Sequence, residues 1–140
     1  MSWDILVQAA KFSPPPVAEM PKDWHGDVLG TGDEVRAKIS LAIPGVNWTD
    51  PTWGVFDGDG FYFEFNMGKK ESCDNFMIHV HGGGDAVSLL LYLAEQCGWY
   101  LLDTSEGEWL HRMPNAEKGW KGFQVFRDGV LGQSTLPEGE

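Results

Sequence analysis

Two histidines two positions apart, His79 and His81, are the side chains of this sequence best suited to chemistry. On an extended chain, residues two apart point the same way, so the pair presents two imidazoles side by side. That spacing can give zinc or iron two nitrogen ligands, and Glu64 is the conceivable third if its strand lies alongside. The same residues also suit recognition without chemistry, because a half-exposed sheet face tolerates histidine and imidazole changes charge near neutral pH.

Three other runs have chemical readings and simpler structural ones. Residues 81–84, His-Gly-Gly-Gly, are similar to the loop that aims backbone amides at an oxyanion in some lipases, but the chain has no Gly-x-Ser-x-Gly nucleophile elbow. Glycines before a helix can also cradle a phosphate. Here Asp85 puts negative charge at that helix start and no Gly-Lys-Ser/Thr follows, so a tight strand-to-helix corner is the better reading. Residues 57–60, Asp-Gly-Asp-Gly, open like a calcium loop, yet the third ligand position is Phe61 and the twelfth is Gly68. A hairpin turn fits them better.

The elements that must position the histidines lie within residues 53–103. Residues 61–66, FYFEFN, alternate so that Phe61, Phe63 and Phe65 share one face and Tyr62, Glu64 and Asn66 the other. Residues 53–56 should pair with them across the Asp-Gly turn, with Phe56 facing Phe61 and Gly54 facing Phe63, which places Trp53 and Val55 beside Tyr62 and Glu64. In residues 75–81, Phe76, Ile78 and Val80 match the phenylalanine face, so Met77, His79 and His81 fall on the opposite one. Asp85 is a suitable N-cap for an apolar helix over Ala86–Cys97, expected to cover the phenylalanine face, and Gly98 is its stop before a strand over residues 99–103.

Around this unit, Trp3, Ile5 and Val7 alternate with Asp4, Leu6 and Gln8 as a first strand. Prolines 14–16 and Pro21 make residues 11–29 a long loop. Thr31 and Glu34 form a capping box for a helix over Gly32–Ala42. Residues 105–108 read as a turn, and Trp109 and Leu110 extend or pair with an existing strand. Residues 114–130 carry helically spaced Trp120, Phe123 and Phe126 with disfavoured glycines between; helix is the expectation, with residues 132–140 a frayed tail. No internal repeat is visible. The order β-α-β-β-β-α-β plus a C-terminal helix predicts an α+β fold, a two-layer α/β sandwich with a mostly antiparallel sheet of about five strands, in one domain over 1–140.

The chain has 140 residues, 42% of them hydrophobic, and a formal net charge of −11. Such a charge disfavours nucleic acid and acidic membranes as partners and favours neutral or basic ones. Asp and Glu number seven in each of residues 1–50, 51–102 and 103–140, so the charge is no acidic tail. No apolar run approaches the roughly 20 residues of a membrane span, and the N-terminus lacks the basic start of a signal peptide, so a cytoplasmic protein is expected. Two cysteines, Cys73 and Cys97, are expected to be free thiols there. The sequon at Asn47 is then a chance match.

Several short pieces, namely Ser2-Trp3-Asp4-Ile5, residues 50–54 (DPTWG) with Asp57-Gly58, residues 64–66 (EFN), His79-Val80 with Gly82-Gly83, and residues 123–127, resemble a family of uncharacterised small bacterial proteins. The resemblance implies a bacterial source and no particular activity.

The leading expectation is a non-catalytic, acidic protein-binding module, with immunity-type inhibitors as an analogy. It would use the face of Trp53, Tyr62, Glu64, Met77, His79 and His81 to hold a neutral or basic protein, and would need no cofactor. A small metal-dependent enzyme centred on His79, His81 and Glu64 is the competing class. Alternatively the proline loop or the C-terminal helix covers this face as a second core layer. If the face is open, Glu64→Lys should leave stability nearly unchanged.

Overall fold

The computed structural model describes residues 1–135. In chain order the elements are β1 (Trp3–Gln8), β2 (Gly30–Thr31), α1 (Gly32–Ala42), β3 (Trp53–Asp57), β4 (Phe61–Asn66), β5 (Ser72–Cys73), β6 (Phe76–Gly82), α2 (Ala86–Cys97), β7 (Tyr100–Asp103), β8 (Glu108–Trp109) and α3 (Lys118–Thr135). An antiparallel sheet of six strands, ordered β3-β4-β6-β1-β7-β8, forms one layer, and β2 and β5 make a separate two-stranded ribbon. The α+β sandwich expected from the sequence is therefore observed, with β8 as a sixth strand.

Alternation determines the two sheet faces. Ile5, Phe63, Phe65, Ile78, Val80 and Leu101 bury one face, where Val35 and Ile39 of α1 and Leu90 and Leu93 of α2 join them in a single core. Thr31 caps α1 through its hydroxyl, which accepts from the Glu34 amide, while the Glu34 carboxylate accepts from the Thr31 amide. Loss of this reciprocal cap in Thr31→Ala is expected to cost about 1 kcal/mol, read as a lower denaturant midpoint; an unchanged midpoint would mean the box contributes nothing.

The hairpin differs from the expected pairing by two residues. Phe56 stands opposite Phe63 and Gly54 opposite Phe65, because the turn is tighter than four residues: the Gly58 amide donates to the Phe61 carbonyl at 2.8 Å, and Gly60 takes a positive φ of 86°. A shift of two preserves face parity, so Trp53 and Val55 still lie beside Tyr62 and Glu64. Gly54 itself leaves room for Trp48, whose ring carbons would stand within 2.7 Å of any Cβ there.

Both glycine runs are explained by each other. The Gly83 amide donates to the Gly60 carbonyl at 2.7 Å, and a Cβ on Gly82, which has φ of 89°, would stand 2.6 Å from that same oxygen. The corner after β6 thus packs backbone to backbone on the β3-β4 turn, which only glycine permits.

Residues 118–135 are helical, as favoured by the aromatic spacing, and the helix includes part of the expected tail; residues 136–140 of that tail lie outside the described residues. Trp120 packs on Trp3 with ring centroids 5.5 Å apart and donates its indole N–H to the Gly84 carbonyl. This anchors α3 at Trp3, on the core side, and at the glycine corner. Both cysteines are free thiols, and burial, aided by Asp74, pushes the Cys73 thiol up. Among the described residues no helix is long and apolar enough to cross a membrane.

Candidate functional site

The second sheet face is divided in two. At its β7-β8 end Trp109, opposite Leu102, is buried under Trp24 of the proline loop, with ring centroids 5.9 Å apart. That loop is tied down by Arg112 Nε donating to the Pro14 carbonyl and by the Val17 amide donating to Glu108 Oε1. His111 sits beside Ser13 in the same packing, and burial, with Arg112 adding to it and Glu108 opposing, pushes its imidazole below the ordinary range. The proline loop therefore covers this end, and not the part of the face that carries Trp53, Tyr62, Glu64, Met77, His79 and His81. α3 does not cover the face, since its anchoring residue Trp120 packs on the other side of β1.

Over β3, β4 and β6 the face stays half-exposed, and its side chains form one linked network. A carboxylate can only accept, so the tautomers follow from the partners. His81 Nε2 donates to Glu64 Oε1 at 2.6 Å, and the Trp53 indole donates to Glu64 Oε2 at 2.9 Å. His79 Nδ1 donates to Asp4 Oδ1 at 2.7 Å, while its Nε2 lies 3.4 Å from the Asn66 amide nitrogen, which donates to it. The rings are stacked as well: Tyr62 on His81 at 4.4 Å and 8°, Trp53 on His79 at 5.5 Å and 24°.

Register explains the pattern. Glu64 stands opposite His79 across β4-β6, and Asp4 stands opposite His79 across β1-β6. Glu64 reaches diagonally to His81 instead, which leaves His79 to Asp4. The structure thus brings Trp53, Tyr62, Glu64, His79 and His81 together. Met77 is half-buried at the margin, opposite Leu6 and Asn66, and adds only apolar surface.

Asp4 and Asn66 complete the network without having been singled out as site residues. The alternation of residues 3–8 already placed Asp4 opposite the core face, but nothing in the sequence specified that β1 lies next to β6.

This arrangement consists of two carboxylate–imidazole pairs, Asp4–His79 and Glu64–His81. Each pair donates or accepts within the network. Among the described residues no three His, Cys, Asp or Glu side chains are grouped to hold a metal ion. The six sheet strands contain no lysine or arginine, so the carboxylates on this face are opposed only by the two imidazoles.

Burial acts most strongly on Glu64 and pulls its carboxyl upward. The hydrogen bonds from Trp53 and His81 and the nearby imidazoles together outweigh it, so the group is held below its ordinary value of 4.5. With only 26% of its side chain exposed, Glu64 is a network anchor and not the free surface charge that a neutral Glu64→Lys change requires. A carboxyl depressed on folding contributes stability that is complete above its unfolded pKa and is lost as pH falls through the folded one. Unfolding free energy is therefore expected to drop as pH falls below about 4.5, and Glu64→Gln should flatten that dependence. Denaturant midpoints for both proteins across the acid range check it; parallel curves would show that Glu64 is not a linked group.

Compared with known proteins, the chain matches no family model, no curated protein and no solved structure.

Proposed function

We propose that this chain is a non-catalytic, acidic protein-binding module that uses the half-exposed β3-β4-β6 face to hold a neutral or basic protein. One observation carries the reading. The aromatic and ionisable side chains of that face are already fixed by one another, so a partner would meet a rigid surface and little side-chain freedom would be lost on binding. Tyr and Trp supply contact area with a polar tip, as residues that dominate interfaces do. Carboxylates without lysine or arginine on the sheet favour a partner of opposite charge. Immunity-type inhibitors share this character by analogy only.

Tyr62, 39% exposed, is the side chain to remove. Immobilised protein is used to capture partners from extracts of the source cells, with Tyr62→Ala and, far from the face, Leu41→Ser compared with the parent. A neutral or basic protein held in a one-to-one ratio by the parent and Leu41→Ser but lost by Tyr62→Ala supports the reading. Equal retention by all three overturns it. Stoichiometric zinc or iron in the purified protein, lost in His79→Ala, would replace it with the metal-dependent alternative.

A further inference from the structure

At the N-terminal end of β1, an open cleft of about 430 Å³ lies between Trp3, Asp4, the turn at residues 104–106 and one side of α3. Its walls combine aromatic rings with negative charge. Trp3 forms part of the floor, Phe123 and the 62% exposed Phe126 form a wall, and Asp4 and Glu106 are its charged groups; among the described residues no Lys, Arg or His lines it.

Beneath the floor, Asp103 is fully buried, and its Oδ1 accepts from the Trp3 indole, the Ser105 amide and hydroxyl and the Glu106 amide. Its Oδ2 faces Gly119, a cleft residue, and has no hydrogen-bond partner among the described residues. A third carboxyl group, with one oxygen unsatisfied, thus lies directly beneath the cleft floor.

Two cations border the space. Lys118 reaches Glu106 at 3.3 Å from an exposed position, and Arg127 is committed to the Gly82 carbonyl and Asp128, with its guanidinium carbon 5.9 Å from the Phe123 ring centroid. The hydrogen bonds that the Asp4 carboxylate accepts, from Ser2 and His79, both fall on Oδ1. Gly122 sits in the interior of α3, where glycine costs about 1 kcal/mol relative to alanine, yet a Cβ there would meet nothing within 4 Å. No packing contact among the described residues accounts for it, whereas a side chain there would stand in the cleft lining.

We infer that this cleft takes an arginine side chain of the protein partner. Guanidinium matches both halves of the lining: its plane stacks on the exposed Phe126 ring while its N–H fork reaches the carboxylates of Asp4 and Glu106. The inference rests on the protein-binding reading for the identity of the partner, and Asp4 belongs to both surfaces.

The test uses the purified full chain and a single amino-acid probe. N-acetyl-arginine amide is titrated into isotopically labelled protein and followed by amide and indole NMR shifts, with N-acetyl-citrulline amide as the uncharged isostere. Saturable shifts at Ser105, Glu106 and the Trp3 indole are expected, with citrulline about ten-fold weaker or absent. Gly122→Leu should abolish them; Phe126→Ser serves the same purpose on the exposed wall if the leucine variant does not fold. Equal shifts with citrulline, or titrations unchanged in a folded variant, overturn the cleft while leaving capture by the Tyr62 face intact. Capture lost in Gly122→Leu but retained in Tyr62→Ala would support the cleft and overturn the sheet face.

Discussion

Leu90→Asp is expected to leave the protein without a cooperative thermal transition. Leu90 is fully buried on α2, within the core formed with the phenylalanine face of the sheet. A carboxylate there has no cation to pair with among the core residues, so it must either bind a proton or separate the helix from the sheet. Either course costs several kcal/mol, against a total stability of roughly 5–15 kcal/mol for a domain of this kind. Leu90→Ala is the graded companion, expected to lose about 2–5 kcal/mol while still folding. Circular dichroism melts decide the matter, and a cooperative melt of Leu90→Asp near that of the parent would mean that α2 is not a core element.

Gly119→Ala should destabilise the protein by about 1–3 kcal/mol, the range for forcing extra volume into a packed site. The added Cβ would overlap Asp103 Oδ2 and stand 2.9 Å from Trp3 Nε1, neither of which can move freely, because the same two side chains are hydrogen-bonded to each other. Three residues further along the helix the sign reverses. Gly122→Ala meets open space and should stabilise by up to about 1 kcal/mol through helix propensity alone. Denaturant midpoints of the two variants, measured together, separate the local cost at Asp103 from any general effect on α3; shifts of the same sign would show that Asp103 and Trp3 do not hold Gly119.

Asp103 also shows how closely the core and the cleft depend on one another. It ends β7 in the position of a core residue, and the turn that follows is built on its Oδ1. One buried carboxylate therefore fixes the β7-β8 turn and the Trp3 indole, and its second oxygen leaves room for nothing larger than glycine on α3.

The period-2 alternation of residues 3–8, 61–66 and 76–81 determined by itself which side chains share a face, because a strand's parity does not depend on its neighbours. The same holds for the caps: Thr31 with Glu34, Asp85 with Ser88 and Gly98 with Ala94 are local devices whose partners lie within a few residues. Hence the face of Trp53, Tyr62, Glu64, His79 and His81 was legible, and it survived even a hairpin register two residues away from the expected one.

Strand order was not legible, and it decided the chemistry of that face. With β1 next to β6, Asp4 meets His79 and releases Glu64 to His81, so the face carries two carboxylate–imidazole pairs. Which segment covers the sheet was equally a tertiary outcome. Trp24 closes over Trp109 while Trp120 seats on Trp3, and helical or loop spacing around a tryptophan carries no information about which side of a sheet its ring will reach.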